Sequence, residues 1–217
     1  MSDLTLLSIS GALRAASTNR LLLAEARRLF GPATHVEANL RLPLYDGDIE
    51  AVGIPPEVQL LADQIDAADA VVISTPEYNK ALSGVLKNAL DWVSRTKGSP
   101  WRDKPVAIVS AAAGRAGGER SQFSLRLFLT PFRPLLLPGP EVFIADSSNA
   151  LRTGEGINHS FAARNSNHGP HRLPCKHAHE ERQRQGSNYP QNCHYHQNLG
   201  ESKARLFTPA THADSGR

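Results

Sequence analysis

Short uninterrupted apolar runs alternate with stretches of helical spacing along the first two thirds of the chain. Thr5 to Ser10 (TLLSIS) is apolar and ends at Gly11, as a buried strand does. Asn19 to Phe30 places apolar residues at helical spacing and stops at Gly31-Pro32. His35 to Leu40 is compatible with a second strand, and Pro43 to Gly53 with a loop. Pro55 to Ala68 predicts a helix with proline in its first turn. Ala70 to Thr75 (AVVIST) predicts a third buried strand ended by Pro76. Leu82 to Arg95 predicts a helix with Leu82, Val85, Leu86, Ala89, Leu90 and Val93 on one face. Val106 to Ala111 is a fourth strand, Glu119 to Leu129 a further helix, and Val142 to Ala145 part of a fifth strand.

Strands that are apolar throughout, rather than at every second residue, imply a sheet covered on both faces. Their alternation with helices implies that it is parallel. Five such strands fit a doubly wound α/β sheet of order 2-1-3-4-5. Ligands of such sheets sit beyond the carboxyl ends of the strands, where the winding reverses. Informative residues are therefore expected after strands one, three and four.

The pattern stops at about Ala150. Residues 151–217 hold eight of the nine histidines and both cysteines, and Gly, Asn, Gln, Ser and Arg dominate. Leu, Ile, Val and Phe are too sparse there to bury a core. The expected organisation is a folded domain over 1–150, then an irregular, polar, His-rich tail over 151–217 that is disordered or loosely attached. Its abrupt start near 150–151 has the character of a reading-frame shift, with a natural divergent tail as the alternative. Cys175, His177, His179, Cys193 and His196 have zinc-ligand chemistry, but their spacings match no common zinc module, so no metal site is assigned.

Charge changes the picture little. Residues 1–150 carry 15 Lys/Arg against 16 Asp/Glu, so the basic excess belongs to the last third and the domain has no bias toward nucleic acid. No apolar stretch is long enough to span a membrane, and no basic region precedes the first apolar run. Two cysteines are too few for a disulfide scaffold. A cytoplasmic location is expected.

The first loop, Ser10 to Asn19, gathers hydroxyls at Ser10, Ser17 and Thr18, the Asn19 amide and the Arg14 guanidinium. It opens into a helix N-terminus, whose free N–H groups attract a phosphate. The alternative is an ordinary βα loop capped by Ser17 or Thr18. It is neither a G-x-G-x-x-G fingerprint nor a P-loop. The second loop, Thr75 to Gly84, offers a proline-anchored flat wall with Tyr78 and Asn79, suited to a planar ring system. The third, Ser110 to Gly118, has three glycines that let backbone approach a ligand, or simply make it flexible.

Taken together, S-G-A-L-R-A-A-S-T-N-R and T-P-E-Y-N-K-A-L-S-G-V-L-K-N-A-L-D-W-V-S-R strongly resemble the NADPH-dependent FMN reductase family, which includes quinone, chromate and azo-dye reductases. The resemblance covers about residues 3–149. It implies a flavodoxin-like fold, FMN as cofactor and NAD(P)H as co-substrate. It implies ping-pong transfer of reducing equivalents to a small oxidant, and a homodimer or homotetramer. By the resemblance, Ser10, Arg14, Ser17 and Asn19 hold the FMN phosphate. Pro76, Glu77, Tyr78 and Asn79 line the isoalloxazine ring, and Ser110 and Gly114 approach it. No catalytic side chain is assigned, because the flavin carries the chemistry. The alternatives are a reductase that releases reduced FMN to a partner, and a non-catalytic flavodoxin-like electron carrier. Two departures stand out: Ala12, where the family often has serine, and the lack of an amphipathic helix after strand five.

Overall fold

The computed structural model describes residues 4–152 and 156–157. The chain divides into units Met1–Ala163 and Arg164–Arg217, and every described residue belongs to the first. The elements run β1 (Thr5–Ser10), α1 (Thr18–Phe30), β2 (Thr34–Glu37), α2 (Gly47–Val52), α3 (Pro56–Ala67), β3 (Ala70–Thr75) and α4 (Gly84–Val93). They continue with β4 (Pro105–Ala111), α5 (Glu119–Leu129), β5 (Leu135–Leu136), β6 (Val142–Ile144), α6 (Ser147–Ala150), β7 (Leu151–Arg152) and β8 (Gly156–Ile157).

The main sheet has the order β2-β1-β3-β4-β5, all parallel, with β6 also paired to β4. This is the expected doubly wound order, with its fifth position split. Leu135 and Leu136 pair with the start of β4, while Val142 to Ile144 pair with its end at Val109 to Ala111. The prolines at 138 and 140 lie between the two pieces and cannot donate to a ladder, so the edge strand breaks there.

Successive strand residues point to opposite faces, so the apolar runs feed two cores. Leu7, Ile9, Val71, Ile73, Val106 and Ile108 pack with residues of α3, α4 and α5. Leu6, Val72, Val109 and Ala111 pack on the other face with Leu22, Leu23 and Ala26 of α1. Each fully buried Leu, Ile or Val contributes about 1.5–3 kcal/mol.

Two features departed from periodicity. The segment expected as a loop over 43–53 contains α2, which is held by its start rather than by an apolar face. Asp46 accepts the Asp48 N–H at 2.9 Å, and Asp48 and Glu50 lie in the first turn, favourable for the helix dipole. None of its residues is buried, so there is no hydrophobic stripe to read. Strand β2 is also shorter than expected, ending at Glu37.

After β6 the described chain holds only the four-residue α6 and the antiparallel β7–β8 pair, which lies beside α1. Leu151, the first residue of the expected tail, is buried in the α1-side core. Residues 153–155 and 158–217 of that tail, with Cys175, His177, His179, Cys193 and His196, lie outside the described residues. No helix among the described residues is long and apolar enough to cross a membrane.

A buried asparagine ties α1 to the sheet. Asn19 Oδ1 accepts the Ser74 hydroxyl at 2.8 Å and the Ala111 N–H at 3.1 Å, and its Nδ2 donates to the Ala111 carbonyl at 2.9 Å. Asn19→Ala strands these groups in a dry interior. It should lower unfolding stability by about 2–4 kcal/mol, read from the urea midpoint. A loss below about 0.5 kcal/mol would show that the clamp is not needed.

Candidate functional site

Strands β1, β3 and β4 are sheet neighbours, so the loops at their carboxyl ends converge. The first loop turns sharply at Gly11. Its N–H donates to the Ser74 carbonyl at 2.8 Å, and its carbonyl accepts the Ser83 hydroxyl at 2.7 Å. A Cβ at Gly11 would stand 2.6 Å from Leu86 Cδ1 and 2.9 Å from Pro76 Cδ. Only glycine lets the first loop close on the second.

Beyond Gly11 the loop presents donors. Ser17 caps α1, its Oγ accepting the Asn19 N–H at 3.2 Å. The amide N–H groups of Leu13, Arg14, Ala15, Ala16 and Thr18 donate to no described residue. Arg14 is exposed, and its guanidinium has no partner among the described residues. Unpaired amides at a helix N-terminus beside a free guanidinium are the donor set that a phosphate dianion requires. The residues present therefore fit the phosphate of a mononucleotide. Arg41 braces this loop by donating from Nη2 to the Leu13 carbonyl at 3.0 Å.

The other polar residues expected here face inward. Ser10 Oγ donates to the Ala12 carbonyl and accepts the Ala12 N–H, within its own loop. Asn19 is committed to β3 and β4, as described above. Both are buried and shape the loop rather than line its open side.

In the second loop, Pro76 is buried and Glu77 turns to α5, accepting the Arg120 N–H at 3.2 Å. Tyr78 and Ala81 exchange both backbone hydrogen bonds at 3.1 Å. Between them Asn79 and Lys80 take φ values of 51° and 66°, the two left-handed residues of a tight hairpin turn. Tyr78 and Asn79 are thus carried outward, with Tyr78 55% exposed.

In the third loop, Ser110 is fully buried. Its Oγ donates to the Gly117 carbonyl at 2.7 Å and accepts from Gln122 Nε2 at 2.9 Å, and Gln122 also donates to the Val142 carbonyl. Ser110 therefore fastens the loop from beneath. Gly114 is exposed, with open space where a Cβ would stand. Arg14, Tyr78, Asn79 and Gly114 lie on the open side of the three loops. Ser10, Ser17, Asn19, Pro76 and Ser110 lie beneath.

Sequence reading missed the work of the helix that follows. Asn88 Nδ2 donates to the Pro43 carbonyl at 2.9 Å, and its Oδ1 accepts the Tyr45 N–H at 2.8 Å. Trp92, fully buried, donates Nε1–H to the same Pro43 carbonyl at 2.8 Å. Tyr45 meets Trp92 edge-on at 5.1 Å and donates its hydroxyl to Glu50 at 2.6 Å. That bond to the carboxylate, with burial second, holds the Tyr45 hydroxyl above its ordinary pKa. Lys87 pairs with Asp91 one turn on. The spacing of Asn88 and Trp92 on one helix face was legible, but their shared partner Pro43, 45 and 49 residues upstream, was not.

Among the described residues no cluster of His, Cys, Asp or Glu is placed to hold a metal ion.

The model of the NADPH-dependent FMN reductase family matches residues 4–149. An NAD(P)H-dependent FMN reductase of Pseudomonas aeruginosa is 45% identical over 151 residues, covering 69% of this chain and 82% of that protein. A quinone reductase of Escherichia coli K12 is 37% identical over 160 residues, covering 71% and 85%. Among solved structures, FerB, a flavoenzyme NAD(P)H:(acceptor) oxidoreductase from Paracoccus denitrificans, superposes with a TM-score of 0.66 at 30% identity, covering 74% of this chain and 89% of that one.

Two glycines of the third loop separate structure from access. A Cβ at Gly117 would lie 2.9 Å from the backbone of Phe143 and Ile144, at a φ of +60°. Gly117→Ala should cost about 1–2 kcal/mol from the left-handed backbone alone, with a further loss from the clash. Gly114→Ala should stay within about 0.5 kcal/mol of wild type. Equal losses in urea unfolding would contradict this placement.

Proposed function

Because the chain belongs to the NADPH-dependent FMN reductase family, we propose that its first loop holds the FMN phosphate and that quinones are among its acceptors. It is an NAD(P)H-dependent flavin oxidoreductase, with FMN as cofactor, NAD(P)H as co-substrate and a small molecule as electron acceptor. FMN, when bound, supplies hydride acceptance from nicotinamide and onward electron transfer. The protein's task is to bind and orient.

The observation that carries the binding reading is the set of unpartnered amides at Leu13, Arg14, Ala15, Ala16 and Thr18 beside the free Arg14 guanidinium. These groups donate to the phosphate, while Ser17 caps α1 and Ser10 shapes the loop. Asn19 acts one step removed, by fixing where α1 begins. Backbone groups from Pro76 to Asn79 and the Tyr78 ring wall the isoalloxazine. Glu77 holds that wall against α5, and the Ser110–Gln122 pair sets the height of the third loop, where Gly114 leaves room for the ring.

NAD(P)H and the oxidant use one open face in turn, which gives ping-pong kinetics. Quinones, chromate and azo compounds accept electrons readily, so no side chain is required as general acid or base. The flavin-binding unit is residues 1–150. The location is the cytoplasm, where the NAD(P)H pool is found.

We further propose a homodimer or homotetramer. Phe123 and Leu127, 52% and 69% exposed, form an apolar stripe on α5. The second loop docks on the same helix through Glu77 and through the Leu82 N–H bond to Ser124. A partner on that stripe would abut the site.

The purified protein should take up FMN and show the absorbance bands of oxidised flavin. Arg14→Ala should weaken FMN by about 1.5–3 kcal/mol, the range for a charged hydrogen bond. Riboflavin, which lacks the phosphate, should lose far less. Equal losses for both ligands in fluorescence titrations would show that Arg14 is structural, and a folded protein that takes up no FMN would overturn the reading.

A further inference from the structure

In the first loop, successive carbonyls are engaged while the amides that follow them are free. The Ala12 carbonyl accepts the Ser10 hydroxyl at 3.1 Å, the Leu13 carbonyl accepts Arg41 Nη2 at 3.0 Å, and the Arg14 carbonyl accepts the Ser17 N–H at 3.1 Å. The N–H groups of Leu13, Arg14 and Ala15 donate to no described residue. Each of these carbonyls shares a peptide unit with the next residue's N–H, and in a planar trans unit the two point in opposite directions. Holding the carbonyl therefore sets where the free N–H points. Successive amides presented in this way make an anion-binding concavity.

Two of the units are set from within the loop, by Ser10 and by Ser17. The middle one, Leu13–Arg14, is held from outside, by a side chain 28 residues on. Among the described residues the Leu13 carbonyl has no other donor. Without Arg41 this unit is free to turn over by coupled rotation of the bonds on either side of it. Turned over, it would present a carbonyl oxygen in place of an N–H, and that oxygen repels a phosphate.

Arg41 reaches across from fixed ground. The Ala38 N–H donates to the Ser8 carbonyl at 2.9 Å, which ties the chain after β2 to β1. Asn39 Oδ1 accepts the Arg41 N–H at 3.0 Å, and Leu40 is buried in the core with residues of α3 and α4. Two residues beyond Arg41, the Pro43 carbonyl is held by both Asn88 and Trp92. The backbone is thus anchored on both sides of Arg41, so little freedom remains to be lost when its guanidinium spans the gap to the first loop.

We propose that Arg41 is a positioning residue for the flavin phosphate: by holding the Leu13 carbonyl it sets the direction of the Arg14 N–H. This role rests on the reading that the first loop holds the phosphate. Arg41 acts through the peptide unit and does not itself touch the ligand. Its charge also polarises that unit, which makes the Arg14 N–H a stronger donor.

Fluorescence titrations with FMN and with riboflavin test this on the full chain, at low salt and at about 0.5 M salt, where exposed charges are screened. Arg41→Ala should weaken FMN about five-fold at both salt concentrations and change riboflavin by less than about two-fold. Arg41→Met, which keeps an apolar stem and removes the N–H donors, should lose as much. In the flavin-free protein, the ¹³C signal of the Leu13 carbonyl should move upfield in both variants, while that of the Ala12 carbonyl, bonded to Ser10, stays in place. A loss that vanishes at high salt would overturn the proposal, because it would mark long-range attraction alone. An equal loss for riboflavin, an Arg41→Met variant that binds as wild type does, or an unmoved Leu13 signal would overturn it as well. Arg14→Ala separates this claim from the one beneath it. Selective loss of FMN in Arg14→Ala with none in Arg41→Ala removes the role of Arg41 alone. A wild type that binds riboflavin as tightly as FMN removes the phosphate reading, and the role of Arg41 with it.

Discussion

Asn19 sits where α1 meets β3 and β4, and its carboxamide is shared among the Ser74 hydroxyl and both backbone groups of Ala111. Burying these groups is tolerable only if they pair, so the helix cannot slide along the sheet without stranding them. This pairing fixes the first turn of α1. From it follow the cap at Ser17, the run of unpaired amides ahead of it and the direction in which Arg14 leaves the loop. Ser74 carries the constraint onward, since its carbonyl accepts the Gly11 N–H and its strand leads into the second loop. The polar residues of the loop thus divide into those that set the geometry and those left free to meet a ligand.

The same logic explains the block from Gly84 to Trp92. Lys87 and Asp91 pair on the surface. Asn88 and Trp92 both donate to the Pro43 carbonyl, and Asn88 also receives Tyr45. The helix thereby fixes the irregular segment between β2 and α2, which has no ladder of its own. Ser83 at its start reaches the Gly11 carbonyl. One helix joins the first loop at its N-terminus to the β2–α2 segment along its length.

Much of this was legible beforehand, and the reasons differ by level. The uninterrupted apolar runs from Thr5 to Ser10 and from Ala70 to Thr75 could only be strands covered on both faces, so the winding order followed from their alternation with helices. Helix α2 was hidden because a short helix held by Asp46 carries no apolar stripe. The break between β5 and β6 was hidden because Leu135 and Leu136 are too few to show a period. The loops after β1, β3 and β4 lie at the sheet end where the winding order placed them, but the orientation of their side chains was not legible. Whether Ser110 or Asn19 faces a ligand or the sheet depends on partners 92 and 12 residues away, such as Ala111 for Asn19 and Gln122 for Ser110. Local sequence does not encode those pairings.

The central claim is that the free amides of the first loop take the flavin phosphate. Amide hydrogen exchange tests it directly, comparing the flavin-free protein with protein saturated by FMN and by riboflavin. Leu13, Arg14, Ala15, Ala16 and Thr18 should exchange fast without ligand and slow markedly with FMN. Riboflavin, at equal occupancy, should leave them fast while still protecting the second and third loops. Equal protection of the five amides by both ligands, or none with FMN, would contradict the account.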